Sequence, residues 1–149
     1  MKAFIDIKYD LFNYEEIIFL IDCFEKNKNL HINYDGRTTL ELQGQVKDLI
    51  YSRYKPYIFD NSIDWTQIVL WPPNTYQDLH LDEREKNTTI SSITYLNDDY
   101  QGGETVFKDH TIIKPKLGKT IFFSGRKLQH GVNKVLNKPR YTIATWYKK

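Results

Sequence analysis

Two periodicities divide the chain. Ile17, Ile18, Leu20, Ile21 and Phe24 recur at helical spacing and predict one helix with a wide apolar face. Asn13 stands before it as a cap, and Glu15 and Glu16 oppose the dipole in its first turn. Asn27 to Asn29 end it. Leu40 to Tyr54 reads as a second helix, with Leu42, Val46, Leu49, Ile50 and Tyr54 along one side. Lys55-Pro56 stops it, because proline drives the residue before it out of the helical region. Phe4-Ile5-Asp6-Ile7 alternates as a short strand, and Tyr34-Asp35-Gly36 is a turn signal.

Further on the pattern shortens. Trp65 to Trp71, Thr88 to Leu96, Glu104 to Lys108, Thr111 to Lys114, Lys119 to Phe123, Gly131 to Leu136 and Tyr141 to Tyr147 are rich in β-branched and aromatic residues. Pro72-Pro73-Asn74, Asn97-Asp98-Asp99, Gln101-Gly102-Gly103, Pro115 to Gly118, Ser124-Gly125 and Asn137-Lys138-Pro139 punctuate them as turns. Regular short strands of this kind predict a sandwich or barrel of about seven or eight strands. The expected organisation is one domain over residues 1–149, with supporting helices in 1–60 and a β core in 61–149.

Composition narrows the function classes. A net charge of +2 makes no case for nucleic acid. Eleven tyrosines and eight phenylalanines suit a sheet core. The single cysteine, Cys23, has no internal disulfide partner and is expected as a buried small hydrophobe. Met1 to Asp6 meets a charge too early for a signal peptide, and the longest apolar run, Ile17 to Ile21, is too short to span a bilayer. A soluble, reducing, cytoplasmic setting is expected. Abundant Lys, Asn, Ile and Tyr hint at a low-GC microbial or viral genome, which allows a viral protein in a host cytoplasm. Nothing in the sequence speaks to oligomeric state.

The candidate chemistry is His80-Leu81-Asp82 together with His130. Alternate residues of a strand share a face, so His80 and Asp82 can aim at one ion and His130 can close the set from another strand. Two histidines and one carboxylate with positions left open is the donor set of non-heme Fe(II) sites. A His-x-Asp pair alone reads first as a surface turn. Here it follows an aromatic strand and a proline turn, while His130 opens a strand after Phe122-Phe123-Ser124 and Arg140 opens the next. His31 and His110 are expected at the surface, His110 in the polar turn Lys108-Asp109-His110-Thr111 and the weaker candidate for third ligand. Lys114, Lys116, Lys119, Lys127 and Lys134 read as solvated faces, and Gly102-Gly103 as a structural turn.

Over roughly Ile63 to Lys149 the chain resembles the catalytic domain of the prolyl 4-hydroxylase-like family of Fe(II)/2-oxoglutarate-dependent oxygenases. The resemblance rests on His80-Leu81-Asp82, Thr94-Tyr95-Leu96-Asn97, Gly102-Gly103-Glu104-Thr105, Phe107 and Pro115-Lys116-Leu117-Gly118. It continues through Phe122-Phe123, His130-Gly131-Val132, Arg140-Tyr141 and Trp146, in the family's order and approximate spacing. The resemblance implies a mainly β fold with N-terminal helices, a double-stranded β-helix or distorted jelly roll. It implies His80, Asp82 and His130 as iron ligands and 2-oxoglutarate as co-substrate, with ascorbate as a further cofactor. Arg140 would hold the distal carboxylate through its guanidinium fork, with Thr142 adding a bond from the same strand face and Tyr95 matching a family tyrosine that donates there. Shortly before the first iron histidine the family often has a tyrosine; here Trp71 stands in its place. An indole donates one hydrogen bond and accepts none, and Tyr76 is the candidate substitute hydroxyl.

The implied reaction is hydroxylation of an aliphatic C–H bond using O₂, with release of succinate and CO₂; Asp82 favours hydroxylation over halogenation, whose enzymes lack the carboxylate. A prolyl residue in a peptide is the expected substrate, with free amino acids and other small molecules open. Pro72 to Leu79 and Glu83 to Asn87 flank the site as candidate lids. The nucleic-acid alkyl-repair branch carries a second arginine where Trp146 stands here. A non-catalytic jelly-roll binder would have no need of all four of His80, Asp82, His130 and Arg140, and a cupin enzyme using no 2-oxo acid would not need Arg140.

Overall fold

The computed structural model describes residues 2–83 and 87–149. Strand β1 (Ile5–Tyr9) leads into helix α1 (Tyr14–Lys26), then β2 (Ile32–Tyr34), β3 (Arg37–Glu41) and helix α2 (Gly44–Tyr54). The strands that follow are β4 (Ser62–Trp71), β5 (Gln77–His80), β6 (Thr88–Tyr95), β7 (Gln101–Gly102) and β8 (Thr105–Phe107). The last are β9 (Ile112–Ile113), β10 (Lys119–Phe123), β11 (His130–Val132), β12 (Val135–Leu136) and β13 (Arg140–Lys148). A seven-stranded antiparallel sheet runs β1-β10-β6-β13-β4-β3-β2, and a four-stranded sheet runs β5-β11-β8-β9. β7 and β12 pair separately. This is the expected mainly β jelly roll with helices.

The large sheet is buried on both faces, and period-two alternation decides which residue serves which face. On β13, Tyr141, Ile143 and Tyr147 turn to the outer core, where they meet Leu20, Phe24, Ile50 and Tyr54 of the two helices. Arg140, Thr142, Ala144 and Trp146 turn inward to a cavity. α1 contributes Ile17, Leu20 and Phe24 to the outer core, each worth about 1.5–3 kcal/mol in burial. Its start is a capping box: Asn13 accepts from the Glu16 N–H, and Glu16 accepts from the Asn13 N–H.

Several expectations are corrected. Leu40 to Tyr54 is not one helix. Thr39 and Leu40 pair with Val69 and Ile68 of β4, and α2 begins only at Gly44. Strand pairing with β2 and β4 satisfies the backbone of Arg37–Glu41 and takes Leu40 out of the expected helix. Residues 1–60 therefore supply three strands, β1 to β3, as well as the helices. Downstream, Gly131 to Leu136 splits into β11 and β12, which belong to different sheets. Gln101-Gly102, expected as a turn, is strand β7. Gly102 has φ +69°, and a Cβ there would strike the Lys134 carbonyl, so glycine is what permits this pairing. Cys23 and His31 are half-buried, the His31 ring stacked on Phe24 at 4.1 Å. Among the described residues no helix is long and apolar enough to cross a membrane.

Candidate metal centre

Strands β5 and β11 of the four-stranded sheet bring His80 and His130 together, and the loop after β5 adds Asp82. His130 pairs with His80 across β11 and β5, so both imidazoles start from one ladder position. Asp82 lies beyond the end of β5, and the common strand face expected of His80 and Asp82 is not what places it. Its backbone N–H donates to the Gly125 carbonyl at 2.8 Å, and its Oδ2 accepts from Ser91 at 2.6 Å. A Cβ on Gly125 would run into Ser91 Oγ and Asp82 Oδ2, so the approach of that turn requires glycine. A Cβ on Gly131 would meet the Gln77 and Asp78 main chain, so the β11–β5 contact requires glycine as well.

Hydrogen bonding sets the imidazole tautomers. His80 Nδ1 lies 3.0 Å from the Asp78 carbonyl and His130 Nδ1 lies 2.8 Å from the Leu128 carbonyl. A carbonyl only accepts, so each Nδ1 carries the proton and each Nε2 presents a lone pair inward. Those Nε2 atoms stand 3.6 and 3.4 Å from Asp82 Oδ1, too far for good hydrogen bonds, with the ligand atoms all within 4.8 Å of one another. Three acceptors facing one another call for a cation between them. Burial raises the Asp82 pKa, but positive charge on the side of His130 and His80, together with the Ser91 hydroxyl, outweighs it and holds the carboxyl well below the usual range. The donor set and its carbonyl-oriented imidazoles fit Fe(II).

The same cavity, about 420 Å³, holds Arg140, Thr142 and Trp71 on its walls. Arg140 is 1% exposed; its Nε donates to the Gly103 carbonyl at 3.0 Å and one terminal nitrogen to Thr105 Oγ1 at 3.3 Å. It has no carboxylate partner among the described residues. A buried guanidinium without an anion is costly. The indole N–H of Trp71 is also buried without a partner among the described residues, and the buried hydroxyl of Tyr100 lies beside Arg140. One carboxylate against Arg140 would answer the orphaned charge, so the cavity fits a carboxylate-bearing chelator such as 2-oxoglutarate.

Two expected residues stand differently. Tyr76 is 56% exposed and faces a separate outer cleft with Asp35 and Asn74, so it supplies no hydroxyl to this cavity. Tyr95 is fully buried behind Arg140, its ring 5.3 Å from the guanidinium and its hydroxyl already engaged with Thr105. Of the candidate lids, Pro72 to Leu79 is partly fixed, since Gln77 to Leu79 belong to β5. Glu83 to Asn87 contains residues 84–86, which lie outside the described residues. Sequence reasoning missed Arg37, Ser91, Thr105 and Gly125, all contributing to the cavity or its ligands. Gly125 was visible only as part of a turn, and the others carry no local signal until the strands pair.

The sequence profile of the 2OG-Fe(II) oxygenase superfamily matches residues 65–148. Prolyl 3-hydroxylase 2 from human and from rat are each 41% identical to the chain over 64 residues, which is 38% of this chain and 9% of theirs. The chain thus aligns with only a small part of these relatives. A viral collagen prolyl hydroxylase from Paramecium Bursaria Chlorella virus-1 superposes with a TM-score of 0.79 at 20% identity, over 97% of this chain and 94% of its own. A Trichoplax adhaerens prolyl hydroxylase, solved with a hypoxia inducible factor peptide fragment, gives 0.73 at 16% identity, over 97% and 83%.

Proposed function

The chain belongs to the 2OG-Fe(II) oxygenase superfamily, and from that premise we propose that it hydroxylates an aliphatic C–H bond of a prolyl residue in a peptide. The observation that carries this reading is one cavity holding both a three-acceptor metal cluster and a buried arginine with no anion of its own. The prolyl hydroxylases among its relatives, one of them solved with a peptide, support the substrate class. A reducing, cytoplasmic setting goes with the reading, as does ascorbate as the reductant that keeps the iron ferrous.

His80, Asp82 and His130 would hold the Fe(II). When bound, Fe(II) with 2-oxoglutarate and O₂ supplies an oxidative decarboxylation that leaves succinate and CO₂ and puts one oxygen atom on the substrate carbon. The protein supplies position and a dry wall. The main-chain carbonyls of Asp78 and Leu128 fix the two imidazoles, and Ser91 fixes the carboxylate. Arg140 would bind the distal carboxylate of 2-oxoglutarate, with the Thr142 hydroxyl and the Trp71 N–H as further donors. Tyr95 and Thr105 brace Arg140 from behind. Ile93, Phe123 and Val132 line the rest and exclude water.

Anaerobic addition of Fe(II) and 2-oxoglutarate should give a weak visible charge-transfer band. His80→Ala and Asp82→Ala should each abolish peptide-dependent succinate release; undiminished turnover in both sinks the assignment. Arg140→Ala should raise the KM for 2-oxoglutarate about ten- to a hundredfold, the size of a lost charge-assisted hydrogen bond. An unchanged KM moves that role elsewhere.

A further inference from the structure

Arg37 is the second guanidinium of the cavity, and the roles assigned above leave it unused. Its side chain is only 6% exposed, yet it lines the same cavity as the metal cluster. The cause is strand pairing. Thr38 opposes Leu70, which sets Arg37 beside Trp71, and Trp71 opposes Arg140 on the other side. Trp71 therefore carries one guanidinium from each neighbouring strand, Arg37 at 4.6 Å and Arg140 at 4.9 Å from the ring centre. Each cation gains from the indole face. The π-contact does not neutralise either charge.

The anions do not balance the cations. Arg37 has one ionic partner among the described residues, Asp35 at 3.6 Å, whose side chain is 77% exposed and so contributes little. Asp82 is committed to the two imidazoles and Ser91, and the other acid on the cavity wall, Glu83, is exposed. Thr39, Gln67 and Gln77 near Arg37 are neutral, and no lysine lines the cavity among the described residues. A guanidinium fork whose one ionic partner among the described residues is an exposed carboxylate can take a further carboxylate through two parallel N–H···O bonds. Arg140 is the deeper of the two; Arg37 sits under the exposed ring of Tyr34, at 5.5 Å, on the side of the cavity nearer solvent.

We propose that Arg37 is a specificity-determining residue that binds a carboxylate of the substrate, so that this chain selects peptides bearing a negative charge next to the reacting residue. The charge is either the peptide's own C-terminal carboxylate or a neighbouring acidic side chain. The inference rests on the oxygenase reading above and deepens it.

The test uses the full chain loaded anaerobically with Fe(II) and 2-oxoglutarate, so that the visible band first reports on the oxygenase reading by itself. Short proline peptides are then added in three forms: free C-terminal acid, C-terminal amide, and amide with glutamate beside the proline. Binding is read from the shift of the band and by calorimetry. At least one charged form should bind about ten- to a hundredfold more tightly than the plain amide, and the form that wins identifies the source of the carboxylate. Arg37→Gln should erase that preference and leave 2-oxoglutarate affinity unchanged, while Arg37→Lys keeps part of it. No preference for a charged form, whether all bind alike or none binds, overturns the inference. So does weakened 2-oxoglutarate binding in Arg37→Gln, since that marks a clamp on Trp71 and Arg140. Absence of the band in the wild-type protein fails the oxygenase reading, a separate outcome from equal binding by charged and neutral peptides.

Discussion

At the residue scale the metal cluster is held by groups that are not ligands. The His80 and His130 tautomers come from two backbone carbonyls, and the Asp82 carboxylate is aimed by Ser91 and by the carbonyl of Gly125. Partners of this kind are worth about ten- to a hundredfold in metal affinity. Ser91→Ala and Gly125→Ala should each weaken divalent-metal binding by about that much, read by Co(II) titration in visible absorption. In Gly125→Ala the added methyl must displace Ser91 or Asp82. Unchanged affinity in both variants would show that Asp82 is positioned by something else. The ligand types and their order were readable in the sequence, because His-x-Asp and a later histidine are local facts. Asp82 lies past the end of its strand, so what orients it was not.

At the element scale, α1 is an amphipathic helix: Asn13 marked its cap, and its periodicity marked Ile17, Leu20 and Phe24 for the core together with Ile18, which the structure leaves 44% exposed. The two features differ in weight. Asn13→Ala removes one half of an exposed capping box and should cost about 1 kcal/mol. Leu20→Ala opens a cavity in a fully buried position and should cost about 2–5 kcal/mol. Urea unfolding measures both; an Asn13 effect as large as that of Leu20 would contradict the packing described. β3 is the opposite case. It carries one apolar residue, Leu40, and its strand character comes from pairing on both sides, with β2 in a hairpin and with β4, distant in sequence. The consequence is functional, since β3 is what brings Arg37 to the cavity.

The whole molecule is organised around a sheet buried on both faces, and its many tyrosines divide accordingly. Tyr54, Tyr95 and Tyr147 are fully buried, and burial pushes their phenol pKa values up. Tyr9, Tyr14, Tyr34 and Tyr76 are exposed. A raised folded pKa stabilises the native state at every pH below the unfolded value of about 10, and that stability is lost as pH rises beyond it. Alkaline titration should therefore show an absorbance step from the Tyr54, Tyr95 and Tyr147 phenols that coincides with loss of circular dichroism. A single step complete before any loss of structure would mean the buried hydroxyls reach solvent in the native fold. The sequence carried the His80, Asp82 and His130 donor pattern, the strand-rich C-terminal region and the capped first helix, and family resemblance made Arg140 the candidate carboxylate binder. Each depends on residues close in sequence or on a motif order that folding does not alter. The tertiary structure decided that Arg37 joins Trp71 and Arg140, that Tyr76 faces outward, and that Gly125 and Ser91 orient Asp82. Those outcomes depend on antiparallel register between distant strands, which backbone hydrogen bonding and burial settle together.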